Sequence, residues 1–208
     1  MTVMNLDHEA VFAAAWSAPG TTSVELPAVR VNDVLRDRYD VTPPFSYTGA
    51  QLWDMEARKA AAPDQYIPTV VRTGSAEKFP SVHTGQLEDF TRISDQRLWA
   101  DPEQYATIIE HVRLDHQHRR AFFLGAERFE TPDGRVVTAG AGQPLFHVEH
   151  SVAGDEDDPL NLWRIVLLTE EYDAALAASF EGLAKDPYLR VFVEVHLREV
   201  LGRALVRR

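Results

Sequence analysis

No cysteine occurs among the 208 residues. That absence excludes disulfides, thiolate catalysis, thiolate zinc sites and cysteine-ligated clusters, leaving His, Asp and Glu as the side chains able to hold a metal. It also suits a reducing compartment. Lysine is scarce, with three residues against eighteen arginines, a composition typical of GC-rich bacterial genomes. No segment reaches the run of about eighteen apolar residues that a membrane-spanning helix needs. Positive charge is in deficit as well: 32 acidic and 21 basic residues give a net charge of −11. Such a charge opposes the counterion release that drives binding to phosphate backbones, so neither nucleic acid nor a membrane is expected as a partner.

Several motifs are missing too. No nucleotide fingerprint and no Gly-x-Ser-x-Gly elbow occur, and "GAGQP" lies between strand patterns, not before a helix. The acidic "GDEDDP" lacks the alternating ligand spacing of a calcium loop and reads as a solvated hairpin tip. No zinc signature is present, and the expectation is a protein with no organic cofactor and no bound metal. The start, "MTVMNLDHEAVFAAAW", has no basic region and acquires Asp7, His8 and Glu9 before its apolar run. A secretory signal is therefore not expected, and the chain reads as soluble and cytoplasmic.

What is there can build a core: 45% hydrophobic residues, four Trp and ten Phe, enough for one domain spanning 1–208. A helix is predicted over 6–16, capped by Asn5 or Asp7, and another after Asn32 that ends near Asp40. Thr48 and Gln51 form a capping-box pattern opening a helix that stops by Pro63, with a short helix in "DQYIPTVV". Residues 72–96 read as a long loop with one strand near Phe90. Asp101-Pro102-Glu103 resembles a helix opening, with Tyr105, Ile108, Ile109, Val112 and His116 at helical spacing through about Gln117. A hairpin turns at Pro132-Asp133-Gly134, and "PLFHVEHSV" and "NLWRIVLL" read as antiparallel strands. "TEEYDAALAASFEGLA" and "DPYLRVFVEVHLREVLGRALVRR" close the chain as helices, the second with Leu189, Phe192, Val193, His196, Val200 and Ala204 as its buried stripe.

The expected architecture is α+β: N-terminal helices, a curved antiparallel sheet of about four to six strands, and two C-terminal helices, the last long and packed on the sheet. No motif marks a family. In outline alone, this shape is similar to the cavity folds of polyketide-cyclase and lipid-binding proteins.

The densest polar stretch is "EHVRLDHQH", 110–118, with three of the eight histidines. As a helix, it sets His111, Asp115 and His118 on one face; as a strand, it sets Glu110, His116 and His118 together with Val112, Leu114 and Phe122. His118 alone belongs to the candidate face in both periods. His150 falls on the apolar phase of its strand with Phe146, Val148 and Val152, whereas His147 pairs with Glu149 on the other face.

One buried imidazole oriented by a carboxylate suffices for general acid/base work. The leading reading is therefore a cofactor-independent lyase, isomerase or cyclase acting on a hydrophobic or aromatic small molecule. His118, His116 and His150 supply acid and base, Asp115 or Glu110 orients an imidazole, and Phe122, Phe146, Trp163 and Trp53 line the substrate site. Two readings from other classes stand beside it: a non-catalytic ligand-binding protein and a His/carboxylate metalloenzyme. In the blander account, His150 and His196 are core histidines, the 110–118 cluster is a solvated face, and Trp53, Asp54, Glu56 and Arg58 belong to an amphipathic surface helix. A homodimer is compatible with all of these.

Overall fold

The computed structural model describes residues 6–208. Its helices are α1 (His8–Ser17), α2 (Val31–Arg38), α3 (Gly49–Ala61), α4 (Pro63–Tyr66), α5 (Ala174–Ser179), α6 (Glu181–Lys185) and α7 (Val191–Val195). Its strands are β1 (Thr22–Glu25), β2 (Val29–Arg30), β3 (Tyr39–Thr42), β4 (Glu77–Lys78), β5 (Val82–Thr84), β6 (Leu87–Arg97), β7 (Tyr105–Asp115), β8 (Arg120–Gly125), β9 (Arg128–Glu130), β10 (Val136–Thr138), β11 (Phe146–Gly154), β12 (Pro159–Leu167) and β13 (Ala204–Arg207).

Nine strands form one antiparallel sheet in the order β1-β12-β11-β8-β7-β6-β4, with β2 extending the edge beside β12 and β5 pairing with β6. The register fixes which side chains share a face, because strand side chains alternate. Val112 lies opposite Phe90 and Phe123, Phe123 opposite Val148, and Val148 opposite Ile165. These residues define an inner face, covered by α3 and α7 and packed as the main core. The outer face is buried too. Phe12 of α1 packs on Phe122, Leu124 and Val166, while Phe79 and the β9–β10 hairpin cover Ile93 and Ile109.

The helix ends follow their local signals. Asp7 caps α1 by accepting from the Ala10 amide (3.1 Å); Asn5 lies outside the described residues. The capping box at α3 is closed both ways, Gln51 N donating to Thr48 Oγ1 (3.2 Å) and Thr48 N to Gln51 Oε1 (3.0 Å).

Four expectations are corrected. The helix expected from Asp101 through Gln117 is strand β7: Asp101 and Pro102 only make a turn, and the segment pairs with β6 along its full length, from Arg97↔Tyr105 to Leu87↔Asp115. β-branched Thr107, Ile108, Ile109 and Val112 suit that pleated ladder, and tertiary pairing overrides the helix-opening cue. Much of the loop expected over 72–96 is β4, β5 and the long β6. The sheet has nine strands instead of four to six. Finally, the long last helix is only α7 followed by a π-helical turn, His196–Val200. Gly202 (φ +61°) follows, and β13 pairs with β3. Val200 and Ala204 are consequently exposed, not part of a buried stripe.

Candidate functional site

Between the inner face, α3 and α7 lies a mostly apolar cavity of about 300 Å³, at the small end of the range of roughly 300–1,000 Å³ for ligand pockets. Its wall carries Phe123, Phe146, Val148, Trp163, Trp99 and Phe192, and two buried polar clusters interrupt it.

The first cluster comes from α3, β11 and β12. Leu52, Glu56, Lys59 and Pro63 recur at helical i+4/i+3 spacing, and all are buried, so Glu56 and Lys59 fall on the inward stripe of α3. Asp54 and Arg58 take the outward side and pair with each other (2.7 Å). Glu56 is fully buried (0%) and the Lys59 side chain nearly so (4%). Lys59 Nζ donates to Glu56 Oε2 (2.5 Å) and to His150 Nδ1 (2.5 Å). His150 Nδ1 is also 3.2 Å from Glu56 Oε2, and Asn161 Nδ2 donates to Glu56 Oε1 (2.8 Å). The Phe192 ring lies 3.9 Å from Lys59 Nζ.

Burial alone would raise the Glu56 carboxyl, but the Lys59 charge and then His150 outweigh it and pull the group down to about 2. Burial pushes the Lys59 ammonium down to about 8 against the pull of Glu56. His150 is lowered to about 4, first by burial and then by the neighbouring Lys59 charge. The triad at neutral pH is thus a carboxylate, an ammonium that gives up its proton unusually easily, and a neutral imidazole. The shorter contact, from Lys59, makes Nδ1 the acceptor and assigns the ring proton to Nε2.

The second cluster is on β6 and β7, where Arg92 and Glu110 are cross-strand partners. Arg92 Nε donates to Glu110 Oε2 (2.8 Å) and its terminal nitrogen to the Ala60 carbonyl at the end of α3 (2.8 Å). Gln96 Nε2 donates to the same Glu110 oxygen (3.2 Å), so among the described residues Glu110 is held through Oε2. The Arg92 charge reaches the first cluster, lowering both Lys59 and His150.

Of the residues singled out in the sequence, the cavity brings together His150, Glu110, Phe146 and Trp163. His118 does not join them. It sits in the turn after β7 with its side chain 62% exposed, its Nδ1 bonded to Asp115 (2.7 Å). Asp115 accepts from the Gln117 and His118 amides and so shapes that turn. His116 is half-buried next to α3, where its Nδ1 accepts from Trp53 Nε1 (3.1 Å); neither residue lines the cavity. Phe122 points from the opposite face of β8 toward Phe12, because residues 121 and 123 take the inner face. Glu56, Lys59, Arg92 and Asn161 were not singled out as site residues. For Glu56 and Lys59 a signal existed, since both fall in phase with Leu52 and Ala60 on the apolar side of α3. Among the described residues no group of three His, Asp and Glu side chains converges to hold a metal ion, and no helix is long and apolar enough to cross a membrane.

No protein-family model and no curated protein sequence matches the chain. Solved structures do. The Zhui aromatase/cyclase from Streptomyces sp. R1128 is similar in fold, with a TM-score of 0.53 and 9% identity over 88% of this chain and 98% of that one. The di-domain ARO/CYC StfQ from the steffimycin biosynthetic pathway is 16% identical over 77% of this chain and 44% of its own (TM-score 0.43). Ginseng major latex-like protein 151 from Panax ginseng is 10% identical over 86% and 98% (TM-score 0.48). At 9% identity the likeness to the Zhui structure shows the fold alone, an α+β sheet-and-helix arrangement resembling the helix-grip fold of cyclases.

Proposed function

We infer that the protein is an enzyme that moves protons on a hydrophobic or aromatic small molecule held in the cavity, as a lyase, isomerase or cyclase. The observation that carries this reading is His150, set on an apolar cavity wall with its Nδ1 between a lysine and a carboxylate. With Nδ1 accepting from Lys59, Nε2–H donates to a ligand oxygen, and the Lys59 proton follows onto Nδ1. With Nδ1–H turned to Glu56, Nε2 is free to accept. The triad therefore supports proton delivery in one tautomer and removal in the other. Neighbouring groups whose pKa values are driven apart, Lys59 to about 8 and His150 to about 4, suit such paired roles. At the other polar cluster, Arg92 and Glu110 offer a cation and a carboxylate to the far end of the ligand. The Zhui aromatase/cyclase, which shares the fold, is consistent with a cyclase among the three reaction types.

The test is deuterium incorporation at carbons next to the carbonyl of a panel of aromatic ketones and β-diketones, followed by proton NMR in heavy water. Wild type is expected to accelerate exchange, and His150→Gln to lose about a hundredfold of that acceleration. Equal rates in the two proteins would overturn the assignment of His150. Ligands that bind without any exchange would instead support the non-catalytic binding reading.

A further inference from the structure

We propose that Lys59 is an amine nucleophile that captures the carbonyl group of an aldehyde or ketone ligand in the cavity as an imine. The proposal rests on the cavity as a ligand site and uses His150 to shuttle protons between Lys59 and the ligand oxygen, but it does not rest on proton transfer at ligand carbon.

Placement is the first reason. Lys59 is 3% exposed, yet it forms part of the cavity wall. The other two lysines sit in different surroundings. Lys185 is 76% exposed and paired with Glu181 (2.7 Å), and Lys78 is 31% exposed and paired with Glu88 (2.9 Å). The other buried cation on the cavity wall is an arginine, in the Arg92–Glu110 pair. A lysine at the cavity supplies what a guanidinium cannot, a cation that gives up its proton.

The surroundings give the second reason, since they serve each stage of the addition. His150 Nδ1, 2.5 Å from Nζ, accepts the ammonium proton and frees the nitrogen lone pair. The lone pair attacks the carbonyl carbon, a C–N bond forms, and the carbonyl π electrons move to oxygen, which takes up the proton now on the imidazole. The nitrogen then gives a proton to His150, which passes it on to the hydroxyl group. The C–O bond breaks, its electrons leave with water, and the nitrogen lone pair completes the C=N bond. Overall, one ammonium and one carbonyl become one iminium and one water, with no net proton and no oxidant or reductant.

The product keeps the positive charge that Glu56 already faces, and Asn161 fixes that carboxylate in place (2.8 Å). The ion pair thus survives the reaction. Desolvation of the ammonium, which brings Lys59 to about 8, raises the share of free amine at neutral pH in the same direction. Phe192, 3.9 Å from Nζ in the first turn of α7 and half-buried, is the side chain that an incoming carbonyl displaces.

The experiment is reductive trapping of the full chain with benzaldehyde and sodium cyanoborohydride near pH 7.5, followed by intact mass and peptide mapping. Benzyl addition is expected at Lys59 in preference to Lys78, Lys185 and the N-terminal amine, by on the order of tenfold. Lys59→Arg keeps the charge opposite Glu56 and should lose that adduct while its circular dichroism stays native. Label on Lys78 or Lys185 equal to or above that on Lys59 overturns the proposal, as does label on Lys59 that appears only in urea. The two readings fail separately. Without selective label at Lys59 but with His150-dependent deuterium exchange, only the imine falls. Selective label with exchange unaffected by His150→Gln removes only the proton-transfer reading.

Discussion

Glu110 and Arg92 show what a buried charge demands of its neighbours. Their side chains are 3% and 6% exposed and joined at 2.8 Å. Glu110→Leu leaves the Arg92 guanidinium buried beside Gln96 without its carboxylate, and the expected cost is about 3–5 kcal/mol in urea unfolding. Replacing both residues with apolar ones of similar size should cost much less, because the penalty lies in the orphaned charge. In the sequence, Glu110 stood out only through its histidine neighbours, and Arg92 gave no sign, since an ion pair between β6 and β7 depends on a register set by non-local contacts. His150 was legible because its own strand shows the alternation that turns it inward. Glu56 and Lys59 were legible in principle: both keep step with Leu52 and Ala60. Two charges on an apolar stripe read as surface until the cavity behind them is known.

At the scale of elements, α3 carries Glu56 and Lys59 of the first polar cluster, so its end matters to the site. Thr48→Ala removes the hydroxyl that accepts from Gln51 N and should cost about 1 kcal/mol, read from the urea midpoint. The outer face of the sheet depends on α1: Phe12 is 2% exposed against Phe122, Leu124 and Val166. Phe12→Ala should cost roughly 3–5 kcal/mol while leaving cavity binding intact. Elements closed by local chemistry, such as the capping box of α3 and the turn at Pro132-Asp133-Gly134, could be read from the sequence. Strand β7 could not, because Asp101-Pro102 carries a local helix signal, and only an eleven-residue partner strand outweighs it. The C-terminal segment failed similarly. Its helical periodicity continues past Gly202, whereas the alternation in Ala204–Arg207 has meaning only beside β3.

For the whole molecule, burial holds His8, His111, His147, His150 and His196 below the ordinary 6.5 of an imidazole, His150 to about 4. The unfolded chain takes up protons near 6.5 while the folded protein resists them. The stability these groups contribute is therefore complete above about 6.5 and is lost as pH falls below it. Each tenfold weakening of proton binding on folding corresponds to about 1.4 kcal/mol. Glu56, held near 2, adds a further loss only below its ordinary 4.5. Urea midpoints should accordingly be lower at pH 5.0 than at pH 7.5.

Both functional readings depend on the cavity being a ligand site walled by the inner face of the sheet. Calorimetric titration of an acetonaphthone into wild type, Val148→Phe and Phe122→Ala tests this most directly. Val148 lines the cavity and Phe122 lies on the outer face. The prediction is binding with a negative heat-capacity change in wild type, affinity reduced by about tenfold or more in Val148→Phe, and little change in Phe122→Ala. Unaltered affinity in folded Val148→Phe, or no binding to wild type by any aromatic ketone, would contradict it.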